Sequence, residues 1–132
     1  MNESIYRVSL DLADTSSSAK IKSKRGDTSR ALHITLATNG RPYVITEECT
    51  AVFTATKPSG KVIFNNCEIE DNVVVYQFTE QTCVEVGALP CEIRIYGADN
   101  KVITSARFTM YIAHDFIEDP DAKDFKVEKY FM

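Results

Sequence analysis

Short runs in which every second residue is apolar recur along this chain, and turn-forming residues separate them. Residues 6–12 and 32–38 show this alternation most clearly. Successive side chains of a β-strand point to opposite faces, so a period of two is typical of a strand with one buried face. The pattern therefore predicts strands, and it leaves little room for long helices.

The stretch from Arg25 to Ile45 combines a strand with turn signals on both sides. Gly26 lies in the lead-in to the strand at 32–38, and Asn39-Gly40 follows that strand. Asn-Gly favours the positive φ angles of a two-residue hairpin turn, and Pro42 cannot donate a central-strand hydrogen bond. The stretch is therefore interpreted as sheet architecture and not as a chemical site.

Further alternating runs predict strands at residues 51–56, 62–69, 73–78, 90–96 and 102–113, and Lys20-Ile21-Lys22 predicts a short edge strand guarded by its lysines. Seven or eight such strands indicate an all-β fold, most simply an antiparallel β-sandwich whose apolar faces pack against each other. Residues 79–85 lack alternation and predict one helical turn capped by Thr79. The centre of the core is expected to hold Leu10, Ile34, Phe53, Ile93 and Phe108.

The predicted domain organisation is a single β-sandwich over residues 1–116, followed by a short C-terminal tail over 117–132. The tail is first acidic and then aromatic, with Phe125, Tyr130 and Phe131 near its end. A segment this short cannot fold alone, and its aromatic residues are too apolar to remain in water. These three residues are therefore the candidate oligomer interface.

Charge and hydropathy exclude several classes of partner. With 15 Lys and Arg against 19 Asp and Glu, the formal charge is −4 and offers no general attraction for a phosphate backbone, so no nucleic-acid partner is expected. No apolar run approaches the ~18 residues that span a bilayer, and the residues after Met1 do not resemble a signal peptide. We expect synthesis in the cytoplasm and no membrane insertion.

The four cysteines, Cys49, Cys67, Cys83 and Cys91, are scattered and form no Cys-x-x-Cys pair. Cys67 and Cys91 share strand phases with neighbouring isoleucines, which predicts small buried side chains. A cytosolic origin favours free thiols over disulfides. All four cysteines are therefore expected to be reduced.

The search for catalytic, cofactor and metal sites gives no candidate residues. His33 and His114 are the only histidines, no Gly-x-Ser-x-Gly motif occurs, and a calcium loop starting at Asp119 would lack its required glycine and glutamate. Arg25-Gly26-Asp27 matches an adhesion tripeptide but is interpreted as a turn. The aromatic residues fall on strand faces as a core requires, although a few could still bind sugar. The chain is therefore not expected to be an enzyme.

A set of short motifs occurs in a consistent order along most of the predicted sandwich: Tyr6-Arg7-Val8, Gly26-Asp27-Thr28, Asn39-Gly40, Lys57-Pro58-Ser59-Gly60, Tyr76-Gln77-Phe78-Thr79 and Ser105-Ala106-Arg107-Phe108. In this order and spacing the chain resembles the amino-terminal domain of phage baseplate upper proteins. The resemblance implies a β-sandwich at the tail tip of a phage, without catalysis.

The same resemblance implies the partners and the location. It implies other tail or baseplate proteins as partners, a homo-oligomer that is most simply a trimer, and a place in the virion tail of a phage or prophage. Members of this family carry receptor-binding proteins on a following segment, whereas this sequence stops at Met132. The alternative from another class is a carbohydrate-binding module at the bacterial surface, which exposed aromatics aligned on one sheet face would favour.

Overall fold

Nine β-strands form the protein in a computed structural model that describes residues 4–13, 20–26 and 28–114. Each observed strand from residue 50 onward overlaps a run that the alternation predicts. The strands are β1 (Ser4–Asp11), β2 (Lys20–Lys24), β3 (Arg30–Thr38), β4 (Arg41–Pro42), β5 (Thr50–Thr56), β6 (Val62–Glu70), β7 (Val73–Gln77), β8 (Gly87–Tyr96) and β9 (Val102–Ala113).

The strands follow one continuous order, β1-β3-β7-β6-β5-β8-β9-β2, with β4 paired to β3. Strand β6 bends between two layers, because its residues 62–67 pair with β5 whereas residues 68–70 pair with β7. The result is a sandwich that is nearly a barrel. We call the layer of β1, β3, β4 and β7 the first sheet and the layer of β2, β5, β8 and β9 the second sheet.

The predicted all-β, sandwich-like class is confirmed, whereas the purely antiparallel pairing and the helical turn at 79–85 are wrong. The sheet is mixed, since β1 pairs with β3 and β2 pairs with β9 in parallel. Residues 79–85 form turns in place of the predicted helical turn. Thr79 stabilises this turn, because its hydroxyl accepts a hydrogen bond from the backbone N–H of Gln81 at 3.2 Å.

The core lies between the two sheets, and all the residues predicted for its centre are buried. Phe53 of β5 stacks on Tyr76 of β7 with ring centroids 3.8 Å apart and an interplanar angle of 14°. Phe108 of β9 lies 6.3 Å from Phe53 in a tilted arrangement. These aromatic contacts join the first sheet to the second, so the central rings hold the layers together.

A carboxylate fixes the turn between β3 and β4. Asn39 and Gly40 have φ angles of 51° and 80°, as a two-residue turn with twisted strands requires. Asp11 accepts backbone hydrogen bonds from Ala13 at 2.9 Å and from Asn39 and Gly40 at 3.0 Å. These hydrogen bonds hold the pKa of Asp11 below its ordinary value, and the bond from Ala13 has the largest effect. The end of β1 therefore locks a turn that lies 28 residues further along the chain.

Candidate interaction surface

The outer face of the second sheet exposes two large apolar side chains of β6. Val62 is 64% exposed and Phe64 is 61% exposed, although both belong to the regular pairing with β5. Their register partners Thr56 and Thr54 lie on the same outer face. We call Val62 and Phe64 the apolar pair. Exposed aromatic residues of this kind are typical of contacts between proteins.

The strand that carries the apolar pair also has an unpaired edge. Residues 62–67 pair with β5 on one side, and among the described residues no strand pairs with them on the other. An open edge presents unpaired backbone groups to any chain that approaches it. Here those groups lie beside exposed apolar side chains, so this part of β6 can accept an added strand as well as a side-chain contact.

A cleft of about 460 Å³ lies along this open edge. The turns after β7 form its far wall, with Thr79, Glu80 and Gln81, and Phe64 forms its rim. Lys57 enters it from the end of β5 with only 8% of its surface exposed. Its ammonium group donates a hydrogen bond to Oε1 of Gln81 at 2.5 Å. The cleft therefore combines an apolar rim with one cation at its base.

A polar network supports the inner wall of this cleft. The hydroxyl of Tyr76 donates to Oδ1 of Asn65 at 3.0 Å and shares a hydrogen bond with the hydroxyl of Thr82 at 2.8 Å. Burial raises the pKa of Tyr76 to about 12, against the opposing effect of the Thr82 and Thr79 hydroxyls. The phenol therefore stays neutral at every physiological pH and serves as a fixed hydrogen-bonding group.

The hairpin that positions Lys57 is clamped from the opposite side. The carboxylate of Glu85 accepts hydrogen bonds from the backbone N–H of Ser59 at 2.9 Å and from its hydroxyl at 2.7 Å. Gly87 approaches so closely that an added Cβ would lie 3.0 Å from Cγ of Pro58, and its φ of 132° also favours glycine. The β5–β6 turn is therefore held in one position relative to the cleft.

A second cleft, of about 490 Å³, lies on the other side of the apolar pair. Its floor contains Thr54 of β5 and its far side contains Pro90 of β8. Glu92 bridges two cations there, with Oε1 at 2.8 Å from Nε of Arg94 and Oε2 at 3.7 Å from Nε of Arg107. Phe64 thus stands between two polar clefts, with its ring accessible from both sides.

The cysteines lie apart from the apolar pair. Cys49 and Cys67 line a third cleft, of about 450 Å³, near the β6–β7 turn, and none of the four cysteines forms a disulfide. Burial raises the pKa of Cys67 to about 12 and that of Cys91 also to about 12. A thiol is nucleophilic only as the thiolate, so these two cysteines are unreactive packing residues.

The two histidines lie in different sheets. His33 is half-buried on β3 of the first sheet, whereas His114 is exposed just after β9 of the second. Across residues 4–13, 20–26 and 28–114, no three His, Cys, Asp or Glu side chains are grouped as a metal site would need. In the same ranges, no helix has the length and apolar character to cross a membrane.

Several predicted features fall outside the described residues. Phe125, Tyr130 and Phe131, the candidate oligomer interface, all lie there, as does the 117–132 tail. Of the tripeptide at 25–27, Gly26 lies in a turn with a φ of 85°, whereas Asp27 is not among the described residues.

The apolar pair was not predicted from the sequence, because the aromatic residues on the strands were interpreted mainly as core residues. Val62, Ile63 and Phe64 are consecutive and apolar, so the run does not reveal which of its members points inward. The polar residues that follow Phe64 in β6 could have predicted its exposure. Asn65 and Cys67 share the phase of buried Ile63, whereas Asn66 and Glu68 share the phase of Phe64.

The exposed aromatics do not form a sugar-binding platform. Among the described residues they are Phe64 of β6 and Tyr111 of β9, which is 39% exposed. Strands β5 and β8 separate them, which at ~4.8 Å per strand places them more than ~14 Å apart. Two rings at that distance cannot stack on neighbouring units of one short glycan, so the structure does not favour the carbohydrate-binding alternative.

The fold and this surface define a class: an all-β sandwich domain whose distinctive feature is an apolar and partly open-edged face suited to protein contacts. A family model identifies the class further. The BppU N-terminal domain model matches residues 4–131, and the chain belongs to this family.

A solved phage protein domain shares this fold. The N-terminal domain of phage TP901-1 ORF48 superimposes with a TM-score of 0.68 at 14% identity, over 83% of this chain and 98% of that one. CopC from Methylosinus trichosporium OB3b is less similar, with a TM-score of 0.46 at 12% identity over 80% of this chain and 94% of that one. No curated protein sequence matches the chain.

Proposed function

We propose that this domain is a structural, non-catalytic component of a phage or prophage tail baseplate, where it attaches to other tail proteins and assembles with copies of itself. The observation that carries the proposal is the match of the BppU N-terminal domain family to residues 4–131. The fold shared with the N-terminal domain of phage TP901-1 ORF48 supports it.

The surface chemistry supports a binding role in place of a catalytic one. Val62 and Phe64 are large apolar side chains that are 64% and 61% exposed, and neither is a nucleophile or a base. The thiols of Cys67 and Cys91 have raised pKa values, and Tyr76 is fixed in a neutral state by its surroundings. Apolar side chains between two polar clefts provide contact area and orientation, which is what attachment to a tail protein needs.

The virion location can be tested directly. Cells that carry the gene are induced, and the released particles are labelled with an antibody against this chain and viewed by immunogold electron microscopy. We expect gold at the tail tip. Label at the head, or particles that lack the chain, would exclude the baseplate role. Antibody against a capsid protein from the same particles serves as the control for position.

Self-assembly is expected to involve the C-terminal residues Phe125, Tyr130 and Phe131, and we propose a trimer. Light scattering on the intact chain at tens of micromolar is compared with the triple variant Phe125→Ser, Tyr130→Ser, Phe131→Ser. A trimer that becomes a monomer in the variant supports the proposal, whereas an intact chain that is monomeric contradicts it. An oligomer that survives the triple change but is lost with Phe64→Asp would move the interface to the apolar pair.

A further inference from the structure

A row of exposed lysines marks the opposite edge of the second sheet. In β2 the side chains of Lys20, Lys22 and Lys24 are exposed, while Ile21 and Ser23 between them are buried. Alternation places the three ammonium groups on one face, about 7 Å apart along the strand. We call Lys20, Lys22 and Lys24 the lysine face. Strand β2 is the last strand in the sheet order.

No described carboxylate neutralises the lysine face. The neighbouring strand β9 places Thr109, Tyr111 and Ala113 beside the three lysines, in register. None of these carries a negative charge, and the described residues provide no ion pair to any of the three lysines. Like charges at this spacing repel one another. The face is therefore a concentrated positive patch with exposed Tyr111 at its side.

The described path of the chain ends beside this patch. Strand β9 runs parallel to β2, so that Ala113 is the partner of Lys24, and the backbone N–H of Arg25 donates to the carbonyl oxygen of Ala113 at 2.8 Å. The sequence beyond His114 therefore starts next to the lysine face. Residues 115–124 contain a single cation, Lys123, and these acidic residues: Asp115, Glu118, Asp119, Asp121 and Asp124. We call residues 115–124 the acidic stretch.

We propose that the acidic stretch docks on the lysine face of its own chain. Residues 115–124 can extend to at most ~33 Å, whereas the lysine face spans ~13 Å from Lys20 to Lys24, so the stretch is long enough to turn back and cover it. Direct attachment at His114 gives the carboxylates an effective concentration in the millimolar range. A second copy at micromolar concentration competes poorly with such a tethered segment.

The lysines also keep the edge strand from pairing with foreign strands, as the sequence analysis expects. That role is compatible with docking but does not require it, because isolated lysines protect an edge without any partner. Docking accounts for an additional fact, which is the position of the acidic residues immediately after the neighbouring strand. It is independent of the baseplate role, since it concerns contacts within one chain.

Carbodiimide crosslinking of the full-length chain tests the contact, because this reagent joins a carboxylate to an amine only when the two touch. The chain is crosslinked as a mixture of ¹⁴N-labelled and ¹⁵N-labelled protein and then analysed by mass spectrometry. We expect crosslinked peptides that join the acidic stretch to Lys20, Lys22 or Lys24. Both peptides of each pair should carry the same nitrogen isotope, as a link within one chain requires. Pairs of mixed isotope would show that a second copy is the occupant and overturn the proposal.

Position and salt provide the controls. Lys61 and Lys101 are exposed in loops elsewhere and serve as control amines. Crosslinks to these two lysines that are as frequent as those to the lysine face would overturn the proposal. The absence of any crosslink to the lysine face would overturn it as well. At 1 M salt the screening length falls to ~3 Å, and the expected crosslinks should decline at least several-fold.

Matched double variants separate charge from fold. Lys22→Glu with Lys24→Glu should abolish the crosslinks and shift the amide NMR signals of residues 115–124, whereas Lys61→Glu with Lys101→Glu should leave both unchanged. Adding Asp119→Lys and Asp121→Lys to the first variant should restore the crosslinks. The carboxylates would then be at positions 22 and 24, and the amines at positions 119 and 121. Failure of this restoration, in a variant with the circular dichroism spectrum of the parent, would contradict docking by charge.

Discussion

Removing the ring of Phe53 should be one of the most damaging single changes to this domain. Phe53 is fully buried, stacks on Tyr76 at 3.8 Å and contacts Phe108, so it joins the two sheets at their centre. Burying ~150–250 Å² of aromatic surface at ~25 cal/mol per Å² contributes about 4–6 kcal/mol. Alanine retains a small part of that area but leaves a cavity, and we expect Phe53→Ala to cost ~3–5 kcal/mol.

Phe64→Ala is the matched control, because it removes the same ring from a strand paired with β5 but on the exposed face. We expect a change within ~0.5 kcal/mol. Urea unfolding followed by circular dichroism gives both values, with unchanged slopes as the condition for comparison. In thermal scans the Phe53 variant should melt ~10–25 °C lower. Equal losses in the two variants would refute the assignment of inner and outer faces.

Three further predictions concern the core, a turn and the thiols. Phe108→Ala should unfold or badly destabilise the domain, by ~3–5 kcal/mol out of a total of ~5–15, which a lowered urea midpoint would show; an unchanged midpoint would contradict its buried phase. Asp11 has a lowered pKa, so its stabilising effect is present above the unfolded value of ~3.9 and is lost as the pH falls through the folded value. The difference in Tm between the wild type and Asp11→Asn should therefore shrink between about pH 5 and pH 2, and a constant difference would exclude the charge as its cause. A brief alkylation pulse at pH 8 should modify at most Cys49 in the native protein and all four cysteines in urea, whereas an intact mass lower by four hydrogens would reveal disulfides.

The sequence predicted the strands well because alternation depends only on which face of a strand is buried. Residues 102–113, for example, form β9 with the predicted bounds, and Phe108 lies on the inner face. Alternation does not predict strand direction, because a strand buries the same face beside a parallel neighbour as beside an antiparallel one. The parallel pairing of β1 with β3 and of β2 with β9 therefore left no trace in the pattern.

The candidate interaction surface was harder to predict, because it depends on contacts between distant parts of the chain. Lys57 is buried, and its ammonium group donates a hydrogen bond to Gln81, 24 residues away. Thr82 lies in a turn and not in a helix, since its hydroxyl is held by Tyr76 and also accepts a bond from the backbone of Thr79 at 2.9 Å. Periodicity cannot report such contacts, and a turn-rich sequence allows several conformations until they form.

The lysine face and the apolar pair lie on the same outer face of the second sheet, which links the two proposed interactions. Arg107 and Tyr111 point to the same face of β9. Arg107 is in register with Glu92, which is connected through Thr54 to Phe64 across the sheet. Tyr111 is in register with Lys22. If the acidic stretch docks at Lys22, the residues that follow it, Phe125, Tyr130 and Phe131, would start from the same side of the sheet as Phe64. If both proposals hold, Lys22→Glu with Lys24→Glu should weaken self-association at least several-fold in light scattering, although neither lysine contacts another copy. Unchanged association in a variant whose crosslinks are lost would show that docking and assembly are separate.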